Sequence, residues 1–161
     1  MERPVFVAVI GSAFCDEGEA AVARDVGRAV ARCGAVLVCG GRSGVMEAAC
    51  QGAKEAGGTT VGILPGNDQH EANPYVDIPI ATGLGEARNA IVVRTAEAVV
   101  AVGGGYGTLS EIGLALKMGR PVVGLGTWEL QRDGSLEDAV VRAVTPAEAV
   151  ELVLTLARKS G

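Results

Sequence analysis

The chain has 161 residues, of which 48% are hydrophobic, 20% are charged and only 3% are aromatic, and its formal charge at pH 7 is −5. This size is typical of one domain with a substantial core, built here from aliphatic rather than aromatic side chains. The acidic balance disfavours general nucleic-acid binding, which usually needs a basic surface. We therefore expect a single domain over residues 1–161 and no nucleic-acid partner.

Neither a secretory signal nor a membrane span is predicted. The apolar run at residues 4–10 is too short for a signal sequence and no cleavage site follows it, and no run reaches the ~18 apolar residues of a span. His70 is the only histidine, which leaves little material for a zinc site or a histidine-dependent triad. We expect a cytoplasmic protein without a metal.

The cysteines have no Cys-x-x-Cys spacing, so reduced, buried thiols are expected. They are Cys15, Cys33, Cys39 and Cys50.

The first half of the chain alternates apolar runs with helical patterns. The predicted elements are a strand at 5–10, a helix at 17–33, a strand at 35–39, a helix at 45–56 and a strand at 59–64. The continuous apolar runs are typical of strands that are buried on both faces of a parallel sheet. Gly34 ends the first helix, and a polar loop at 65–74 follows as the natural place for a lid or an interface.

The second half continues the alternation. Its predicted elements are an extended segment at 75–80, helices at 85–95 and 108–118, strands at 98–102 and 121–125, and a short strand at 139–144. Thr145, Pro146 and Glu148 then open a last helix as N-cap, first helical residue and early acid. The pattern predicts an α/β, Rossmann-like fold, which is a doubly wound parallel sheet with helices on both faces.

Three glycine-bearing loops follow predicted strands, at residues 11–13, 40–44 and 103–108. Ligands of open α/β sheets bind beyond the carboxyl ends of the strands, where glycines allow close approach and free helix N–H groups attract anions. If the strands at 5–10 and 98–102 are neighbours, the first and third loops face each other across one crevice. The predicted phosphate-binding residues are Gly11, Ser12, Gly40, Gly41, Gly104, Gly105, Gly107 and Thr108.

The usual nucleotide-binding signatures do not occur. There is no Gly-x-x-x-x-Gly-Lys-Ser/Thr and no Gly-x-Gly-x-x-Gly after the first strand, and the second strand ends in Cys39 rather than in an acid. The three lysines lie in helical patterns, which does not suit a pyridoxal Schiff base. A P-loop enzyme and an ordinary NAD domain are therefore disfavoured.

Two charged residues accompany the glycine loops. Arg88 lies near the start of the helix that precedes the strand at 98–102, where a guanidinium could bind phosphate bidentately; a purely structural arginine is the alternative. Glu111 follows the third loop within the next helix. Since a carboxylate does not help to bind an anion, Glu111 indicates chemistry or a second contact.

Together, residues 40–46, Arg88 and residues 103–111 resemble the Lonely Guy family, and the resemblance extends over residues 5–125. It implies a Rossmann-like homodimer that hydrolyses the N-glycosidic bond of a nucleoside 5′-monophosphate, releasing base and ribose 5-phosphate without a cofactor. Glu111 would then be the catalytic carboxylate and Arg88 would hold the substrate. The glycines and Thr108 would cradle the 5′-phosphate.

Three positions depart from that family's motif. Gly103 replaces a proline, Asn89 replaces a lysine and Ser110 replaces a second glutamate. The pattern is also similar to the molybdenum-cofactor carrier proteins, which share the fold and hold the phosphate of a pterin cofactor without hydrolysing it. Two functions therefore stay open: a phosphoribohydrolase, and a non-catalytic carrier or nucleotide sensor that binds a phosphorylated ligand.

The third and fourth predicted helices carry apolar residues on more than one helix face. Together with the resemblance, this pattern predicts a homodimer or a higher homo-oligomer. These residues are Ile91, Val92, Val93, Ile112, Leu114 and Leu116.

Overall fold

The computed structural model describes residues 2–160 and contains a seven-stranded parallel sheet, a small hairpin and five α-helices. The strands are β1 (Phe6–Gly11), β2 (Val36–Cys39), β3 (Thr60–Leu64), β4 (Ile78–Ala81), β5 (Ala98–Val102), β6 (Val122–Leu125), β7 (Gln131–Arg132), β8 (Ser135–Leu136) and β9 (Val140–Arg142). The helices are α1 (Glu17–Arg32), α2 (Val45–Glu55), α3 (Asn89–Thr95), α4 (Tyr106–Lys117) and α5 (Pro146–Lys159).

The strand order is β4-β3-β2-β1-β5-β6-β9, and every neighbouring pair is parallel. Alternate residues of each strand enter two separate cores: Val7 and Val9 pack with α1, α2 and α5, whereas Ala8 and Ile10 pack with α3 and α4. The predicted doubly wound sheet with helices on both faces is confirmed. The direct pairing of β1 with β5 places the loops that follow these strands side by side.

Two glycines allow α1 and α2 to pack closely. A side chain at Gly27 would collide with the carbonyl of Ala49, and one at Gly52 would collide with the carbonyl of Arg24. Such close backbone approach is available only where no Cβ intervenes. The contact fixes α2, and with it the glycine loop that precedes this helix.

The structure differs from the predicted elements in three places. The β7–β8 hairpin was not predicted, because its two-residue strands are exposed and lack an apolar alternation. The predicted helix at 85–95 is a 3₁₀ turn over Gly85–Arg88 followed by α3. Helix α4 begins at Tyr106 rather than at residue 108, since Gly107 is tolerated in a first turn whose N–H groups have no intrahelical acceptor.

The prediction of buried thiols is correct for Cys39 and Cys50 only. Cys15 is half-buried, and Cys33 is exposed because it lies at the C-cap of α1, outside the helix face that packs on the sheet. Within residues 2–160, no helix is long and apolar enough to cross a membrane. The same residues contain no group of three or more His, Cys, Asp or Glu side chains arranged to hold a metal ion.

Candidate functional site

A cavity of about 670 Å³ lies at the carboxyl edge of the sheet, between the loops that follow β1, β2 and β5. Gly11 at the end of β1 pairs with Val102 at the end of β5, so the first and third glycine loops flank the cavity together. This is the crevice at the topological switch point of an open α/β sheet, where ligands of this architecture bind.

The N-terminus of α4 forms one wall of this cavity. Its N-cap is Gly105, which offers no side chain to the first-turn N–H groups, and the first turn contains no acid. By contrast, Asp16 caps α1 through the N–H of Glu19 at 2.7 Å, and Thr145 caps α5 through the N–H of Glu148 at 3.2 Å. The uncapped start of α4 therefore offers backbone donors and a positive field to an anion.

The third glycine loop has a conformation that other residues rarely adopt. Gly103 has φ +52° and Gly104 has φ +103°, and Gly104 packs directly against the side chain of Thr108. The segment after β6 braces this loop from outside. Thr127 Oγ1 donates to the carbonyl of Gly103 at 2.5 Å, and Trp128 Nε1 donates to the carbonyl of Gly105 at 3.1 Å.

The second glycine loop is tied to the first. Ser43 Oγ donates to the carbonyl of Ala13 at 3.0 Å, and the N–H of Val45 donates to the carbonyl of Ser12 at 3.0 Å. Buried Asn73 holds the other side: its backbone N–H and its Nδ2 donate to the carbonyls of Gly41 and Arg42, each at 2.9 Å. The segment that we predicted as a lid or an interface thus supports the site at its Asn73 end.

Arg88 is the N-cap residue of α3 and lines the cavity. Its Nη1 donates to Asn89 Oδ1 at 2.5 Å, whereas its buried Nε has no hydrogen-bond partner among the described residues. Gly40 packs against the guanidinium, so a side chain at Gly40 would displace it. Burial lowers the pKa of Arg88, but an arginine still stays charged at neutral pH.

Glu111 is buried in the same cavity, with 7% of its surface exposed. Burial raises the pKa of Glu111 to about 7, and the charge of Arg88 partly opposes that rise. Within residues 2–160, no hydrogen bond or direct ion pair reaches this carboxylate. The group is therefore close to half-protonated at neutral pH, and it can act as an acid, a base or an adjustable counter-charge.

The structure brings most of the predicted site residues together. Those that line the cavity are Gly11, Ser12, Arg88, Gly105, Gly107, Thr108 and Glu111. Gly40, Gly41 and Gly104 do not line it; Gly40 and Gly104 instead make room for Arg88 and Thr108, and Gly41, with φ +74°, packs against Leu64.

Several lining residues were missed by the sequence analysis. They are Ala13, Phe14, Arg42, Ser43, Met46, Pro65, Glu86, Asn89 and Tyr106. Arg42, Ser43 and Tyr106 lie inside the glycine loops, so taking each loop as a whole would have found them. Pro65 and Glu86 come from segments that carry no recognisable motif.

Residues 4–153 match the model of the SLOG cluster4 family. The chain is 49% identical over 119 residues to a protein of unassigned function from Archaeoglobus fulgidus, a match that covers 74% of this chain and 78% of that one.

Two solved structures are similar to the chain over nearly its full length. One is the molybdenum cofactor binding protein of Rippkaea orientalis, with a TM-score of 0.87 and 38% identity, covering 97% of this chain and 99% of that chain. The other is the molybdenum cofactor carrier protein of Chlamydomonas reinhardtii, with a TM-score of 0.81 and 42% identity, covering 96% and 98%. The resemblance predicted from the glycine loops is confirmed.

The raised pKa of Glu111 predicts a pH-dependent cost to stability. Because the folded-state pKa of about 7 lies above the usual 4.5, the folded protein binds the extra proton between these values. The free energy of unfolding therefore falls as the pH rises from about 4.5 through 7. Glu111→Gln, which has no charge to bury, should be more stable than wild type at pH 8 by on the order of 2–3 kcal/mol.

Urea unfolding at pH 5 and pH 8 measures this difference. Glu151→Gln removes an exposed carboxylate on α5 and serves as the matched control, for which no pH-dependent gain is expected. A gain from Glu111→Gln that is equal at both pH values would contradict the raised pKa.

Proposed function

We propose that this chain, which belongs to the SLOG cluster4 family, binds a phosphorylated pterin, the molybdenum cofactor, and holds it without cleaving it. The observation that carries the proposal is the likeness to two molybdenum cofactor binding structures at 38% and 42% identity, over at least 96% of the chain in each case. The cavity described above is the site we assign to this ligand.

The donors of the cavity suit a phosphate. The N–H groups of Tyr106, Gly107 and Thr108 start α4 without a side-chain cap, and the Thr108 hydroxyl lies beside them. Arg88 adds a fixed positive charge whose Nε has no hydrogen-bond partner among residues 2–160. A phosphate monoester has the acceptor oxygens that these donors require, and charge-assisted bonds to arginine are about twice as strong as neutral ones.

The size of the cavity suits a ligand larger than a phosphate ion. Its volume of about 670 Å³ lies within the roughly 300–1,000 Å³ of small-molecule sites. A fused pterin ring with its phosphate arm is of this class.

The departures from the hydrolase motif have structural consequences that favour a binding protein. Gly103 has φ +52° and donates its N–H to the carbonyl of Leu125 at 3.0 Å, whereas a proline has φ near −65° and no N–H. Ser110 is exposed and donates to the carbonyl of Gly107 at 2.7 Å, so it does not replace the missing carboxylate. Glu111 is left as the one acid on the α4 side of the cavity.

Anaerobic titration with the molybdenum cofactor tests the binding function. Wild type should bind one equivalent per chain, and Arg88→Ala should weaken binding by ~10–100-fold, since a charge-assisted hydrogen bond contributes about 1.5–3 kcal/mol. Arg158→Ala removes the same charge from the exposed end of α5 and should bind like wild type. Failure of the wild type to bind, or equal affinity in Arg88→Ala, would overturn the assignment.

A phosphoribohydrolase is the second candidate, and the protonation of Glu111 favours it. A carboxyl group with a pKa of about 7 can exchange a proton at neutral pH, and it lies in the same cavity as Arg88. Glycosidic cleavage develops positive charge on the ribose, which a carboxylate stabilises. Glu111 would take that role.

An assay with AMP distinguishes the two candidates. As a carrier, the folded wild-type protein should release no adenine, because Ser110 stands where the hydrolase motif has its second glutamate. The opposite result would be adenine release that depends on the 5′-phosphate and falls by ~10²–10⁴-fold in Glu111→Gln while AMP binding persists. Chromatography of free base, alongside AMP binding by calorimetry, measures both quantities.

The homo-oligomer stays a prediction. Ile91 of α3 and Leu114 and Leu116 of α4 are half-buried, so these helices retain apolar surface beyond the sheet contact. An apolar helix face of this kind supports packing against a second copy.

A further inference from the structure

Two aromatic side chains that line the cavity are almost fully exposed to solvent. Phe14, in the loop after β1, is 90% exposed, and Tyr106, the first residue of α4, is 83% exposed. The chain has only two phenylalanines, two tyrosines and one tryptophan. Because both side chains line one cavity, they offer aromatic contact surface to a ligand there.

The Tyr106 ring lies next to the ring of Trp128. Its centroid lies 5.9 Å from that of Trp128, with 30° between the ring planes. Trp128 is itself fixed, because its Nε1 donates to the carbonyl of Gly105 at 3.1 Å. Trp128 is therefore an aromatic neighbour of Tyr106, and most of the Tyr106 surface is left for a ligand.

Phe14 lines the same cavity from the loop that follows β1, and the backbone around it is anchored. Its N–H donates to Ser12 Oγ at 3.1 Å, and the carbonyl of the preceding Ala13 accepts from Ser43 Oγ at 3.0 Å. Within residues 2–160 its ring has no aromatic partner. Both rings line the same cavity. Phe14 comes from the loop after β1 and Tyr106 from the helix start that follows β5, and these two strands are neighbours in the sheet.

We propose that Phe14 and Tyr106 stack on the planar ring system of the ligand whose phosphate binds at the N-terminus of α4. Trp128 acts as a positioning residue next to Tyr106. The inference rests on the proposed function, since it needs the phosphate site. The phosphate fixes one end of the ligand, and the rings select ligands with a planar heteroaromatic group over those without one. Stacking of this kind tolerates different ring substituents, because every planar base has a π-face.

Two probes that share a phosphate but differ in the ring isolate this contact. The probes are 6-hydroxymethylpterin phosphate and glycerol 3-phosphate, titrated by calorimetry and by the fluorescence of Trp128, which is the only tryptophan. Wild type should prefer the pterin phosphate by ~10²-fold. Phe14→Ala and Tyr106→Ala should each weaken binding of the pterin phosphate roughly tenfold and leave glycerol 3-phosphate nearly unchanged.

Matched variants separate the ring from the fold. Tyr106→Phe and Phe14→Tyr keep an aromatic face and should bind like wild type. Ile78→Ala removes a side chain that is 49% exposed on β4, outside the cavity, and should have no effect. The preference for the pterin phosphate over glycerol 3-phosphate should fall in Tyr106→Ala and return in Tyr106→Phe, a pattern that a merely structural role of Tyr106 would not produce.

Each other result has a distinct meaning. The stacking proposal is overturned if Tyr106→Ala weakens the binding of both probes equally, or if neither alanine variant weakens binding. Either result leaves the phosphate site unaffected. An alanine variant that lowers the oligomeric mass without changing the preference also overturns the stacking proposal, because a second copy of the chain then covers these rings. If wild type binds neither probe, the proposed function fails and the inference fails with it.

Discussion

The uncapped N-terminus of α4 is the feature on which the rest of the site depends. Gly105 leaves the first-turn N–H groups without a side-chain acceptor, and no acid in that turn balances their field. The glycines before the helix, the bracing bonds from Thr127 and Trp128, and the pairing of β1 with β5 all serve to hold this helix start against a cavity. An anion that enters the cavity completes hydrogen bonds that the protein itself leaves unmade.

Arg88 and Glu111 are two opposite charges that line this cavity. The buried Nε of the guanidinium has no hydrogen-bond partner in the part of the chain that the structure describes, and burial raises the pKa of the carboxyl to about 7. A buried group of this kind costs stability at neutral pH, which is the usual mark of a functional position. The same pair suits a carrier, where it tunes anion binding, and a hydrolase, where Glu111 would meet the ribose. The fold is therefore compatible with a carrier and with a hydrolase, and the residues of the site determine which function the protein has.

The sequence predicts the parts of this protein that depend on local patterns. Continuous apolar runs such as Ala98–Val102 identify buried parallel strands, and the glycine loops identify the carboxyl edge where they end. Features set by tertiary contacts are not predictable in this way. Gly40 lies among the expected phosphate ligands, yet it makes room for Arg88, and Asn73 supports the second loop from a segment without a motif. The sequence does not show that the exposed rings of Phe14 and Tyr106 line the same cavity, because they come from two separate loops.

Amide NMR of the ¹⁵N-labelled protein, titrated with 6-hydroxymethylpterin phosphate and with 6-hydroxymethylpterin, shows whether a phosphate binds at the start of α4. We expect the phosphorylated compound to shift the amide signals of Tyr106, Gly107 and Thr108, because its phosphate accepts hydrogen bonds from the start of α4. The compound without phosphate should leave these signals in place. Equal shifts by both compounds, or shifts confined to residues away from this helix start, would contradict the account.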